Sequence, residues 1–208
     1  MYKDTAEFYV PEGLYPTKEP VPKTVIELKM SLPLKSWFRL DDWVFDNTTI
    51  APKDLFGFEE TIDYLLDYMN THGPFDGFLT FSQGSIALRF LYRFLYVVDP
   101  DRYSKRLQHP FPRFHISLAG PVFSYMHVEY KGSWVDEDLT FQYPLESVHL
   151  IGKKDVMYKD YMTQPELYKD SIVIHYDDGH RFPRDLSAEE FAPMKQFLEK
   201  KIEEKNKE

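Results

Sequence analysis

The stretch at residues 76–95, DGFLTFSQGSIALRFLYRFL, changes its hydrophobic pattern at Ser82. The residues before this serine form a continuous apolar run, typical of a buried parallel strand, and those after it repeat apolar residues at helical spacing. In α/β sheets, a residue at such a strand-to-helix junction lies over the carboxyl edge of the sheet, where ligands bind. The junction therefore predicts both a class of fold and the position of a site.

The rest of the chain repeats this alternation. Apolar, aromatic or β-branched segments predict strands at residues 6–10, 75–81, 113–118, 147–151 and 171–176. Amphipathic patterns predict helices at 58–72, 83–98 and 187–204, and the last of these begins with a capping box. Strands that alternate with helices indicate an α/β three-layer sandwich with a mostly parallel sheet. Residues 11–56 and 120–146 are predicted to be irregular.

Composition limits the class of protein. The chain has 208 residues and no linker-like segment, so we expect a single domain over residues 1–208. A net charge of −9 disfavours nucleic acid as a partner, and no apolar run approaches the roughly 20 residues that span a bilayer. The first residues resemble neither a secretion signal nor a transit peptide, which by default predicts a cytoplasmic protein.

Cofactor chemistry has no signal in the sequence. The chain has no cysteine, and its histidines lack the spacing of metal ligands, so we expect no metal and no cofactor. The histidines at positions 115, 149 and 175 lie inside predicted strands and are interpreted as packed or hydrogen-bonded core residues.

Ser82 has two interpretations from local sequence. It is either a simple N-cap of the following helix or the nucleophile of a strand-to-helix elbow. In the second case, Gln83 opens the helix and its backbone N–H is a candidate oxyanion-hole donor, since the N–H groups of a first helical turn lack intrahelical acceptors. The elbow also needs small residues two before and two after the serine; Gly84 fits, whereas Thr80 does not.

The order of polar residues further along the chain favours the nucleophile. Asp155 follows the predicted strand 147–151, and His180 follows the predicted strand 171–176 in a glycine-containing loop. A serine nucleophile needs a base to take its proton and a carboxylate to orient that base, in the chain order Ser, Asp, His. The sequence thus supplies three candidate groups at one edge of one sheet.

At this level of detail the chain resembles the FSH serine hydrolases, an α/β-hydrolase family. GPFDGFLTFSQGSIAL resembles the family's GPFDGxxGFSQGA core, SVHLIGKKDVMY its PxLHxxGxxDxxV segment, and IVIHYDDGHRFPR its HxxGHxxP segment. HISLAGPVF, AEFYVPEGLYP and FGFEETIDYLLDYMNTHGPFDG resemble further strand and helix segments of the family. The resemblance implies Ser82 as nucleophile, Asp155 as acid and His180 as general base, with hydrolysis of a carboxylic ester or thioester as the reaction.

Two departures from the family pattern define the alternatives. The family has glycine at the position of Thr80, where a β-branched residue is expected to cause strain or a shifted elbow. The family also begins with a strand ending in Leu-His-Gly that supplies a second oxyanion donor; no LHG occurs here, so the chain reads as N-terminally truncated relative to the family. Three explanations are open: the sequence is a fragment, residues 24–30 occupy the position of that strand in the sheet, or a partner protein does.

These departures leave three functions open. One is an active hydrolase, since a missing oxyanion donor costs roughly 10²- to 10³-fold in rate without abolishing it. The second is a weak or inactive homologue that serves as a structural or interaction subunit, and the third is a small-molecule or acyl-binding module that uses the same pocket without turnover. In the hydrolase, residues 120–146 occupy the place of a lid, and Phe123, Tyr125 and Met126 are candidate contacts for an apolar acyl group.

Overall fold

The computed structural model describes residues 6–16, 35–39, 54–123, 126–184 and 186–207. The contacts divide the chain into two compact units. The first unit contains residues 1–75, 91–111 and 125–136, and the second contains residues 76–90, 112–124 and 137–208. The single-domain assignment stays a prediction.

The described elements follow one another in this order. The strands are β1 (Tyr15–Pro16), β2 (Lys35–Ser36), β3 (Asp54–Leu55), β4 (Gly77–Phe81), β5 (Phe114–Leu118), β6 (His127–Tyr130), β7 (Ser133–Asp136), β8 (Tyr143–Gly152) and β9 (Tyr168–Tyr176). The helices are α1 (Phe58–His72), α2 (Gln83–Arg93), α3 (Pro100–Tyr103), α4 (Tyr158–Tyr161) and α5 (Ala188–Lys205). A π-helical turn, Phe94–Val98, follows α2, and 3₁₀ turns span Ser104–Arg106 and Gln164–Leu167.

The first unit contains α1 and a three-stranded sheet of order β3-β6-β7. The predicted helix 58–72 is confirmed with both of its ends, and it begins after Gly57, whose φ of 73° is readily adopted only by glycine. Phe58 on this helix packs its ring 5.1 Å from that of Phe38 and 5.6 Å from that of Phe94. Phe94 in turn contacts the ring of Tyr130 at 4.8 Å. This aromatic cluster forms the core of the first unit.

The second unit is built on a parallel sheet of order β4-β5-β8-β9. The predicted strands at 75–81, 113–118, 147–151 and 171–176 correspond to these four and are confirmed as parallel. Strands β8 and β9 begin several residues earlier than predicted. The resulting parallel sheet with flanking helices confirms the α/β-hydrolase-like fold class.

One face of this sheet is apolar and packs against α5. Successive strand residues point to opposite faces, so Ile116, Val148 and Ile174 share this face. They form a buried cluster with Met194 and Phe197 of α5. Ser187 accepts a hydrogen bond from Glu190 N (3.2 Å), and the Glu190 side chain accepts one from Ser187 N (2.9 Å). The predicted capping box is therefore confirmed.

The opposite face of the same sheet is unusually polar. The register places Thr80, Ser117 and His149 in one row across three strands, and His115 and Ser147 in the next. All of these except Thr80 are at most 1% exposed. Buried polar groups need partners, and here the partners are one another together with Ser85 of α2 and Gln164 of the 3₁₀ turn.

Several sequence-based predictions are wrong. Residues 6–10 form no strand; Phe8 and Val10 are 68% and 79% exposed, and an isolated strand without a pairing neighbour cannot satisfy its backbone. The segment 120–146 is not wholly irregular, because β6 and β7 pair there as an antiparallel hairpin. The helix predicted to reach residue 98 changes to π-helical geometry at Phe94. Residues 24–30 lie outside the described residues.

Candidate active site

Ser82 forms the turn between β4 and α2. The strand ends at Phe81 and the helix begins at Gln83, so a single residue connects them. The turn requires a left-handed backbone, and Ser82 has a φ of 51°. Ser82 N donates to Leu118 O (2.9 Å), and Ser82 O accepts from Ser85 N (3.0 Å), which fix the turn against β5 and α2. A serine held in this region carries strain of about 1–3 kcal/mol, which the surrounding structure must offset.

Asp155 and His180 follow the ends of the two neighbouring strands β8 and β9. Their loops approach closely because Gly152 has no side chain: a Cβ there would lie 2.5 Å from Asp178 O. Two backbone hydrogen bonds join the loops, from Lys153 N to Tyr176 O and from Lys154 N to Asp178 O, both 2.9 Å. The two polar side chains therefore converge on one side of the sheet edge.

The three side chains are hydrogen-bonded to one another in the order Ser82, His180, Asp155. His180 Nε2 is 3.0 Å from Ser82 Oγ, and His180 Nδ1 is 2.8 Å from Asp155 Oδ2. The Asp155 side chain is fully buried, and that of His180 is 16% exposed. A carboxylate at Nδ1 favours the tautomer that carries its proton there, which leaves Nε2 as an acceptor for the serine hydroxyl.

The environment of Asp155 keeps it ionised. Burial of the carboxyl favours its protonated form, but hydrogen bonds from His180, Met157 N and Tyr161 outweigh this effect and lower the pKa of Asp155. Met157 N donates to Asp155 Oδ1 (3.1 Å), so both carboxylate oxygens have donors. The carboxylate is thereby fixed in place as an anion.

Sequence reasoning missed Tyr161, which contacts this group, and Phe182, which lies near it. The Tyr161 hydroxyl lies 2.9 Å from Asp155 Oδ2 and 2.8 Å from His180 Nδ1. Phe182 is 50% exposed, and its ring lies 5.2 Å from that of Phe81, which itself lies 4.9 Å from the imidazole of His180. The position of Phe182, two residues after the candidate base, was a usable signal. Tyr161 had no signal, because its approach depends on how α4 packs.

The candidate substrate contacts occupy different environments. Phe123 and Met126 are buried, with 7% and 2% exposure, and Tyr125 lies outside the described residues. Gln83 is the first residue of α2, directly after Ser82. The roles of these residues stay predictions.

Thr80 is part of a hydrogen-bonded network on the polar face of the sheet. Its hydroxyl lies 2.6 Å from His115 Nε2 and 2.7 Å from Ser85 Oγ. The network extends from Ser85 Oγ to Ser117 Oγ, which lies 2.9 Å away, and from Ser117 Oγ to the side-chain amide of Gln164, which lies 2.8 Å away. Thr80 does not have a positive φ, whereas Ser82 at the turn has a φ of 51°.

Other classes of site have no candidate in the described parts of the chain. Within residues 6–16, 35–39, 54–123, 126–184 and 186–207, no group of His, Asp and Glu side chains could hold a metal ion. No helix among these residues combines the length and apolar character needed to cross a membrane.

The parallel sheet and the serine at its strand-to-helix turn define an α/β-hydrolase-like protein. The sequence matches the serine hydrolase (FSH1) family over residues 1–192, and the chain belongs to that family, as the motifs predicted. It is 25% identical to an uncharacterized hydrolase of Schizosaccharomyces pombe over 193 residues, which are 86% of this chain and 41% of that protein. It is 24% identical to an esterase of Drosophila melanogaster over 200 residues, which are 94% of this chain and 61% of that protein. The chain thus spans about two fifths and three fifths of the lengths of these relatives.

Proposed function

We propose that the protein hydrolyses carboxylic esters or thioesters through Ser82, His180 and Asp155. The observation that carries this proposal is the pair of contacts on one imidazole, 3.0 Å from Nε2 to Ser82 Oγ and 2.8 Å from Nδ1 to Asp155 Oδ2. These distances lie within the range over which a general base takes the proton of a nucleophile. Membership of a serine hydrolase family supports the same reaction class.

In the proposed reaction, Ser82 Oγ attacks the substrate carbonyl carbon while its proton passes to His180 Nε2. As the new bond to carbon forms, the electrons of the carbonyl π bond move to the oxygen. The backbone N–H of Gln83 donates a hydrogen bond to this oxyanion. Collapse of the tetrahedral intermediate breaks the bond to the alcohol or thiol, which leaves with the proton from His180. A water molecule then gives a proton to His180 Nε2 and attacks the acyl carbon. Collapse of the second tetrahedral intermediate breaks the bond to Ser82 Oγ, which takes the proton back from His180, and the acid is released. Asp155 stays ionised and stabilises the imidazolium in both steps.

The position and exposure of the Phe182 side chain favour a substrate that has an apolar part. The ring of Phe182 lies half exposed beside that of Phe81, which in turn lies 4.9 Å from the imidazole of His180. Aromatic surface left in contact with water beside a nucleophile favours binding of an acyl or alcohol chain. We therefore propose an ester or thioester whose chain contacts Phe182.

A fluorophosphonate probe tests the nucleophile directly, since such probes modify activated serines. We expect labelling of the wild-type protein, none of Ser82→Ala, and unchanged labelling of Ser171→Ala. Ser171 is a matched control because it is an exposed serine on the same sheet. Labelling of Ser82→Ala equal to that of wild type, or no labelling of folded wild type, would overturn the proposal. Release of p-nitrophenol from short-chain esters then measures turnover.

An inactive interaction subunit is the second candidate. The observation that favours it is the edge of the sheet at β4, which pairs only with β5 among the described residues, and where Leu79 is 46% exposed. The edges of sheets are sites where other chains add strands. This function predicts no fluorophosphonate labelling of Ser82 in the folded protein, so the experiment above separates the two candidates.

A further inference from the structure

We infer that Tyr161 is a positioning residue for the candidate triad. Its single hydroxyl holds the side chains of Asp155 and His180 in a fixed relative position. The inference rests on the proposed hydrolase function but concerns a residue outside the three-residue mechanism. Its basis is a closed triangle of polar atoms: Tyr161 Oη to Asp155 Oδ2 is 2.9 Å, Tyr161 Oη to His180 Nδ1 is 2.8 Å, and His180 Nδ1 to Asp155 Oδ2 is 2.8 Å.

The donors and acceptors of this triangle have one consistent assignment. The phenol has one proton, which it donates to Asp155 Oδ2, because the carboxylate can only accept. The phenol oxygen then accepts from His180 Nδ1–H, which it shares with the carboxylate. Burial and the neighbouring Asp155 charge raise the pKa of Tyr161, so the phenol keeps its proton. The hydroxyl is therefore a second acceptor for the Nδ1 proton and, together with Asp155, favours the tautomer that carries its proton there.

Tyr161 acts without touching a substrate, because its side chain is fully buried. It has 0% exposure and packs with Ala119 and Ile151 at the ends of β5 and β8. Its ring is also stacked on the imidazole of His180, with 6.2 Å between centroids and an angle of 29°. The ring contact with Tyr161 thus restricts the rotation of the His180 imidazole, and the hydrogen bond fixes the direction in which Nδ1 points. A rigid base within reach of the nucleophile is what general-base catalysis requires.

The test compares Tyr161→Phe with wild type and with Tyr158→Phe. Tyr158 begins the same short helix and packs against the cluster that contains Tyr161, but its ring lies beside that of His175, 5.8 Å away, so it is the matched control. For Tyr161→Phe we expect fluorophosphonate labelling and kcat to fall about tenfold with KM unchanged, as suits the loss of one hydrogen bond to a charged group. Tyr158→Phe should keep wild-type rates. A changed KM with unchanged kcat, or equal rates in all three proteins, would overturn the inference.

A spectroscopic readout keeps this test independent of activity. In wild type, the His180 Nδ1 proton should give a low-field NMR resonance with a nuclear Overhauser contact to the Tyr161 ring, and both Asp155→Asn and His180→Gln should abolish that resonance. Tyr161→Phe should shift it, and Tyr158→Phe should not. An unshifted resonance in Tyr161→Phe, or no contact with the ring in wild type, refutes the positioning role. Failure of the hydrolase proposal would appear separately, as absence of labelling with the resonance intact.

Discussion

The hydroxyl of Thr80 lies 2.6 Å from Nε2 of His115, at the position where the serine hydrolase motif has glycine. His115 has no exposed surface, and its Nδ1 lies 2.9 Å from the Tyr168 hydroxyl, so both ring nitrogens have partners. Burial first, and then the nearby His149 and Arg89, lower the pKa of His115 well below its ordinary value. The threonine thus satisfies a neutral histidine that would otherwise be buried with one unpaired nitrogen.

Thr80→Val should destabilise the fold by about 1–3 kcal/mol, because it keeps the shape of the side chain but leaves His115 Nε2 without its partner. Thr80→Ser keeps the hydroxyl and should lose less than half as much. The midpoint of urea unfolding measures both variants. A valine variant as stable as wild type would mean that this hydrogen bond contributes nothing to folding.

The free energy of unfolding should decrease in mild acid because burial lowers the pKa of His149. Burial lowers the pKa of His149 to about 4, against an ordinary value of 6.5. The unfolded chain therefore binds more protons than the folded one below pH 6.5, so stability present at pH 7 is lost as the pH falls towards 4. Between pH 7 and pH 5 this histidine alone accounts for about 2 kcal/mol.

The measurement for His149 is the free energy of unfolding in urea at pH 7 and at pH 5. His149→Gln keeps a polar side chain near Ser147 and the amide of Gln164, which lie 2.8 Å and 3.2 Å from the ring nitrogens. The variant should show a smaller loss of stability on acidification than wild type. Equal losses in the two proteins would exclude His149 as the source.

Gly152→Ala should separate Asp155 from His180. The added Cβ would meet Asp178 O at 2.5 Å and Gly179 O at 2.7 Å, and both are backbone atoms that cannot rotate away. We expect a loss of about 1–3 kcal/mol in stability, as for other overpacked sites. The rate of fluorophosphonate labelling should also fall, because the loop that carries His180 must shift.

Gly179→Ala is the matched control for that variant. It lies in the same loop, but its added Cβ would meet only Lys154 O at 3.9 Å, an ordinary contact. It should keep both stability and labelling rate. Equal effects of the two substitutions would show that the loop responds to any loss of glycine rather than to the close approach at Gly152.

Phe182→Ala should reduce activity on long-chain esters more than on short-chain ones, if the proposed substrate contact exists. Loss of about 1.4 kcal/mol of apolar contact corresponds to a tenfold lower kcat/KM for the longer chain. Ile202→Ala removes a comparably exposed apolar side chain from α5 and should leave the preference unchanged. A uniform loss on all chain lengths would place Phe182 outside substrate recognition.

Much of the fold could be read from the chain because its local signals agree with one another. The strand-to-helix change at Ser82, the stop after His72 and the capping box at Ser187 each depend on neighbours within a few residues, and each is confirmed. The segment 6–10 shows the limit of this reasoning. It is apolar enough for a strand, but a strand also needs a partner at the right distance, which no local pattern supplies.

The sequence by itself determined the parallel α/β architecture, the turn at Ser82 and the family, because hydrophobic periodicity and motif order are local or ordered along the chain. Only the tertiary structure decided that Thr80 pairs with His115 and that Tyr161 joins Asp155 and His180. Those contacts join residues from different elements, whose approach depends on strand register and on the packing of α4. Distances of 3 Å between such residues are set by the whole fold, and a one-residue shift in the register of β4 against β5 would turn Thr80 away from His115 to the other face.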